Sequence, residues 1–161
     1  MKQLDTLLNN AKIPYELYDH RAIFTNEDAV IVKEELGFWG TETKSLYLKD
    51  KKKKNNYIFL TYTTKQTDFK ALSTLVGKRV SVVQAADMEE QTGQKAGAVS
   101  PFGYEFPVTL IIDEELLSEQ KLVFAPGKPD QTMVIAATDV EKIANLLGMP
   151  FHVLPAASQE V

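Results

Sequence analysis

A chain of 161 residues, 44% of them hydrophobic and 25% charged, is sized for one globular domain with a sizeable core. It has no cysteine, which excludes disulfides, thiolate zinc sites and cysteine nucleophiles. Its net charge of −4 argues against a general coat for nucleic acid while leaving room for a local basic patch.

No apolar run approaches the roughly 20 residues that cross a bilayer. The N-terminal MKQLDTLLNNAKIP carries an acid among its leucines and lacks the apolar stretch of a secretion signal. The expectation is a cytoplasmic protein without a membrane partner.

Leu4, Leu7, Leu8 and Ala11 recur at helical spacing, and Pro14 is expected to end that first helix. Tyr15–Tyr18 alternates and predicts a strand. Thr25 with Asp28 resembles a capping box for a helix whose one face is Ala29, Val32 and Leu36, stopped by Gly37. A looser link over Phe38–Thr43 follows. KSLYLKD (Lys44–Asp50) and YIFLTYT (Tyr57–Thr63) predict a β-hairpin with the polar, basic tip KKKKNN. Asp68 caps a helix with the stripe Phe69, Leu72, Leu75 and Val76, closed by Gly77.

Val80–Val83 predicts a short strand and Ala86–Thr92 a helix ending at Gly93. The apolar run PVTLII (Pro107–Ile112) predicts a central strand, followed by the acidic turn Asp113–Glu119. Lys121–Phe124 and Thr132–Ala136 predict two more strands around the turn PGKPD. Thr138 with Glu141 predicts a capped helix carrying Val140, Ile143, Ala144 and Leu147, stopped by Gly148, and Phe151–Leu154 an edge strand. Hairpins mixed with helical crossovers predict an α+β fold: a single domain over residues 1–161, with a central mixed β-sheet flanked by helices.

The usual nucleophile and metal systems are missing. There is no G-x-S-x-G elbow and no H-E-x-x-H, and His20 and His152 are each expected to be ordinary solvated or capping side chains. Two stretches hold more chemistry. GQKAGAVSPFGYEF (Gly93–Phe106) contains Gly93, Gly97 and Gly103 around Pro101, a loop type that exposes backbone N–H groups suited to an oxyanion or a carbonyl. Lys44, Lys49, Lys51, Lys52, Lys53 and Lys54 are opposed within their stretch only by Asp50, and raise the local potential that a phosphate would feel. Lys44 stands apart from the tip, at a strand start that can feed a cleft.

Taken together, Lys44-Ser-Leu-Tyr-Leu-Lys-Asp-Lys-Lys52 and Gly97-Ala-Val-Ser-Pro-Phe-Gly103 resemble the YbaK/ProX (PrdX) family, stand-alone relatives of the editing insertion of bacterial prolyl-tRNA synthetase. The likeness runs from about Lys12 to Gly148 and includes the helix start DFKAL. It implies deacylation in trans of mischarged tRNA, without metal or other cofactor. The usual substrate would be tRNA(Pro) carrying a small amino acid such as alanine or cysteine, with alanine favoured here, and prolyl-tRNA synthetase a further partner.

On this resemblance Lys44 matches the essential lysine, and Gly97, Ala98, Val99, Ser100 and Pro101, with Phe102 beside them, match the substrate loop. Lys49 and Lys51–Lys54 would contact the tRNA backbone. The lysine and the loop amides would anchor the terminal adenosine or stabilise charge on the ester carbonyl, with either water or a ribose hydroxyl attacking. A non-catalytic module of the same fold that binds tRNA or a synthetase is the alternative.

Overall fold

The computed structural model describes residues 1–52 and 54–159. The elements in chain order are α1 (Leu4–Asn10), β1 (Glu16–Asp19), α2 (Asn26–Leu36), β2 (Thr41–Asp50), β3 (Asn56–Tyr62), α3 (Phe69–Val76) and β4 (Val80–Val82). They continue with α4 (Ala85–Thr92), β5 (Thr109–Asp113), β6 (Lys121–Phe124), β7 (Gln131–Ala136), α5 (Val140–Leu146) and β8 (Phe151–Leu154). The strands form one mixed sheet in the order β1-β7-β6-β2-β3-β5-β8, with β4 paired to β2. The β2–β3 hairpin is antiparallel, whereas β6 joins β2, β5 joins β3 and β8 joins β5 in parallel. The expected α+β architecture is therefore present.

Strand alternation sorts the side chains onto two faces. Tyr47, Ile58, Leu60, Leu110 and Ile112 face the main core, where α1 adds Leu4 and Leu8, α4 adds Met88, and α5 adds Val140, Ile143 and Ala144. Leu48, Tyr57, Phe59 and Ile111 face the other way and are covered by Ala71 and Leu72 of α3. A third cluster on that second face joins Phe38, Val123 and Val134, with Tyr18 stacked on Phe38 at 4.8 Å between ring centroids. Fully buried side chains such as Leu48, Leu72 and Leu110 each contribute about 1.5–3 kcal/mol of transfer free energy.

Local signals mostly act as their chemistry dictates. The Thr25 side chain accepts from the Asp28 amide and that of Asp68 from the Ala71 amide, while Gly37, Gly77 and Gly93 end their helices in the left-handed region.

Four expectations are corrected. The first helix stops at Asn10, before Pro14, because the chain reverses at Lys12 with φ 59°. Within α2 only Val32 is buried, while Val30, Ile31 and Leu36 are exposed. Phe69 of α3 is likewise exposed, and Ala71 takes its place in the buried stripe. No side-chain cap opens α5, since a 3-10 turn over Ala137–Asp139 feeds directly into it and supplies the entry geometry.

Candidate active site

The link expected over Phe38–Thr43 is in part strand, for β2 begins at Thr41 beside β6. Gly40 makes this approach possible. A Cβ there would lie 2.8 Å from Val123 Cγ2 and 3.2 Å from Lys121 Cβ, and its φ of +151° also suits glycine. One edge of β2 is shared: β6 pairs with Thr41 and Glu42, β4 pairs with Leu48–Asp50, and β3 takes the opposite edge. Between β6 and β4 the sheet forks, and Lys44–Leu46 have no strand neighbour on that edge among the described residues. At the rims of the gap the Thr43 hydroxyl donates to the Val123 carbonyl, and the Val83 amide to the Tyr47 carbonyl.

Lys44 sits on this fork. The register places its side chain with Leu46 and Leu48, so it emerges between the α3 cluster and the Phe38 cluster. It is half-buried, and its Nζ donates to the Lys65 carbonyl at 2.7 Å. No carboxylate lies within salt-bridge distance of it among the described residues. An ammonium has three donors, so two remain for a ligand, and no carboxylate among the described residues is close enough to neutralise its charge.

The glycine loop is held from below. Gln94 is buried; its Oε1 accepts from the Ser100 amide at 2.8 Å and its Nε2 donates to Tyr104 Oη at 3.0 Å. Tyr104 Oη in turn donates to the Ser100 carbonyl at 2.7 Å, and burial raises its phenol well above the ordinary range. Phe102 packs edge-on against Phe124, and Tyr104 stacks on Tyr47 of β2 at 6.1 Å. The Tyr47 hydroxyl donates to Gln91 Oε1, and burial pushes its phenol up to about 12. Gly97 is exposed with φ +86° and open space where a Cβ would be, so glycine is needed there for conformation.

These bonds redistribute the roles expected within the loop. Ser100 is fully buried, its Oγ accepts from the Phe102 amide at 3.1 Å, and its amide is spent on Gln94. The Ala98 amide is spent on the Lys95 carbonyl. Pro101 has no N–H, so the amides of Gly97 and Val99 are the two in Gly97–Phe102 that meet no acceptor among the described residues. Pro101 and Phe102 are buried supports.

Lys44 and the anchors of the loop lie on opposite faces of the sheet. Phe102 and Tyr104 pack on the Tyr47 face of the sheet, whereas the Lys44 side chain leaves by the other face. The Tyr47–Tyr104 stack fastens the loop three residues along β2 from Lys44.

The lysine-rich tip is a separate surface at the far end of β2. Lys51, Lys52 and Lys54 are exposed and Lys49 is half-buried; Lys53 lies outside the described residues. Asp50 does not neutralise them at the surface. It is buried, and bonds from Asn55 Nδ2 and the Lys54 amide, against the cost of burial, hold its carboxyl below the ordinary range. The α3–β4 turn joins this tip through Lys51 N–H to the Arg79 carbonyl at 2.8 Å, adding exposed Arg79 and exposed Lys78, whose Nζ lies 3.8 Å from Asp50 Oδ2. Their place in the sequence gave no sign of this.

Two further groups escaped sequence reasoning. Asp113 ends β5 fully buried and accepts from Lys65 Nζ at 2.7 Å and Thr61 Oγ1 at 2.8 Å. An acid directly after the apolar run LII was the available signal. His20 is also engaged, with Nε2 2.8 Å from Thr132 Oγ1 across β1 and β7. Of two open cavities, one of about 250 Å³ lies between the N-terminus, Gly93 and the β6–β7 turn. The other, about 220 Å³, lies beside Trp39, Gly40 and Lys121 at the start of β2. Neither is lined by Lys44.

A half-buried lysine with spare donors suits an anion, and a loop with two unspent amides suits a polarised carbonyl. Residues 29–143 match the aminoacyl-tRNA editing domain, and the chain belongs to that family. It is an aminoacyl-tRNA editing hydrolase of the YbaK/ProX type, with mischarged tRNA as substrate. It is 26% identical over 152 residues to the prolyl-tRNA editing protein ProX of Acetoanaerobium sticklandii, covering 91% of this chain and 92% of that one.

Among solved structures, the hypothetical protein APE2540 shares the fold with a TM-score of 0.77 at 18% identity, over 95% of this chain and 99% of that one. A candidate trans-editing enzyme for prolyl tRNA synthetase does so with a TM-score of 0.71 at 24% identity, over 94% and 90%. No helix among the described residues is long and apolar enough to cross a membrane.

Proposed function

We propose that this protein hydrolyses, in trans, the ester of tRNA(Pro) charged with a small wrong amino acid, alanine first. It would do so in the cytoplasm as a single domain, with prolyl-tRNA synthetase as the neighbour that generates its substrate. The observation that carries this reading is the half-buried Lys44 ammonium, held on one carbonyl with no carboxylate in salt-bridge distance among the described residues, on the stretch of β2 left open between β6 and β4.

Attack on the aminoacyl carbonyl forms a bond from the incoming oxygen to carbon and moves the carbonyl electrons onto oxygen. That charge, or the terminal phosphate that holds the adenosine in place, is the partner for Lys44. On collapse the ester C–O bond breaks and the ribose oxygen leaves with the proton that the attacking hydroxyl gave up. The amides of Gly97 and Val99 are the loop donors for the carbonyl or the amino-acid end. Ser100 lacks both a basic partner and an exposed Oγ, so it serves the loop and not the reaction. Lys49, Lys51, Lys52 and Lys54, with Lys53 in the same run, would steady the acceptor stem through phosphates without reading its sequence.

The test is release of amino acid from Ala-, Cys-, Ser- and Thr-charged tRNA by the purified protein and by Lys44→Ala. Turnover of Ala-tRNA(Pro) that disappears in the variant supports the reading. Binding with the ester retained would assign a carrier module instead.

A further inference from the structure

We infer that Lys65 and Asp113 are a positioning pair for Lys44, working from outside the substrate site; this rests on the role proposed above for Lys44. A lysine has a long flexible stem, and fixing it in one rotamer costs up to about 2 kcal/mol of conformational entropy. Here the acceptor that fixes it is a main-chain carbonyl. Lys65 lies just beyond β3, where its amide closes a turn on the Tyr62 carbonyl at 3.1 Å. Its carbonyl receives Lys44 Nζ at 2.7 Å.

The Lys65 side chain then turns back into the protein. It donates to Asp113 Oδ2 at 2.7 Å, passes 3.5 Å from Glu115 Oε1, and lies 5.9 Å from the centre of the Tyr62 ring. Asp113 accepts in addition from Thr61 Oγ1 at 2.8 Å and Gln159 Nε2 at 3.2 Å. Thr61 is the residue directly across the strand pair from Lys44. One fully buried carboxylate therefore fixes both the cross-strand neighbour of Lys44 and the turn whose carbonyl holds its ammonium.

The charges are sorted to the same end. Lys65 neutralises Asp113, so the buried carboxylate does not draw Lys44 inward, and Lys44 keeps its charge for the substrate. Without the Lys65 ammonium, Asp113 becomes an unpaired buried anion beside Thr61, and Lys44 is an available cation to answer it. The turn also loses its anchor. Both changes remove Lys44 from its place without touching a group that meets the substrate.

Lys65→Met alone leaves a buried unpaired charge and is the variant most at risk of not folding. The combined Lys65→Met, Asp113→Asn variant removes both charges together and serves as the second form. Two readouts are taken on wild type, Lys65→Met, the combined variant and Lys65→Arg. One is kcat and KM on Ala-tRNA(Pro). The other is the rate of reductive methylation of Lys44, followed by peptide mass spectrometry.

The expectation is a kcat loss of about tenfold or more with KM within about twofold, recovered largely in Lys65→Arg. Lys44 methylation should rise several-fold in the Met variants and stay near wild type in Lys65→Arg. Unchanged Lys44 methylation in the combined variant overturns the proposal, as does a loss carried by KM alone or one that Lys65→Arg fails to recover. If wild type releases no amino acid while Lys44 methylation still rises, the positioning pair stands and the hydrolase reading fails.

Discussion

Ser100→Ala separates a scaffold serine from a nucleophile. The Ser100 side chain is wholly enclosed, and its Oγ accepts one hydrogen bond, from the Phe102 amide at 3.1 Å. Deleting that oxygen leaves a buried amide without its acceptor, which costs about 1–3 kcal/mol. The rest of the clamp, Gln94 to the Ser100 amide and Tyr104 to the Ser100 carbonyl, uses main-chain atoms that alanine retains. A chain of this size loses roughly 2–4 °C of Tm per kcal/mol, so the expected drop is about 2–12 °C by thermal scanning. Deacylation measured well below that Tm should stay within about threefold of wild type, since no group that meets the transition state is removed. A variant with unchanged Tm and a kcat lowered more than about a hundredfold would refute this account of the loop and return Ser100 to the chemistry.

Replacing Lys49, Lys51, Lys52 and Lys54 by alanine should flatten the salt dependence of tRNA affinity, by about 0.7–0.9 in log–log slope for each phosphate that is no longer neutralised. Filter binding from low to moderate salt measures it, and an unchanged slope would move the tRNA off the hairpin. Burial raises the Asp113 carboxyl, but bonds from Lys65, Thr61 and Gln159 outweigh it and leave the pKa below the ordinary value. Its stabilising effect is then fully present above the unfolded-state value near about 3.9 and is lost as pH falls through the lower folded one. The gap in urea midpoint between wild type and Asp113→Asn should therefore narrow in strong acid; a gap independent of pH would contradict the depressed carboxyl.

Much of the fold was legible because its signals are local. Asp68 and Thr25 cap the helices they precede, and the run at Leu110–Ile112 is buried because it carries no polar face. Where expectation and structure part, tertiary packing decides. α2 buries only Val32 of its expected stripe, since Phe38 and not the helix fills the space over Val123 and Val134. The site was half legible. Lys44 and Gly97 could be found as residue types in order along the chain, but their relation could not. Strand parity sends the Lys44 side chain away from the loop's aromatic anchors, and the split between β6 and β4 leaves Lys44–Leu46 open on one edge of β2. Nor can spacing show which loop amides are already spent, because Gln94 and Lys95 consume them through folds of the loop itself. Lys65, Lys78 and Arg79 were invisible for the same reason: a turn brings each to a partner distant in sequence.

The central claim is that a lysine on the fork, and not a side-chain nucleophile, makes this an editing enzyme for tRNA(Pro). Single-turnover hydrolysis of Ala-tRNA(Pro) by wild type and Lys44→Ala, with circular dichroism and Tm on both, tests it most directly. The account predicts amino-acid release by wild type and a loss of at least about a hundredfold in Lys44→Ala, with the fold and Tm preserved. Equal hydrolysis by the two proteins would contradict it.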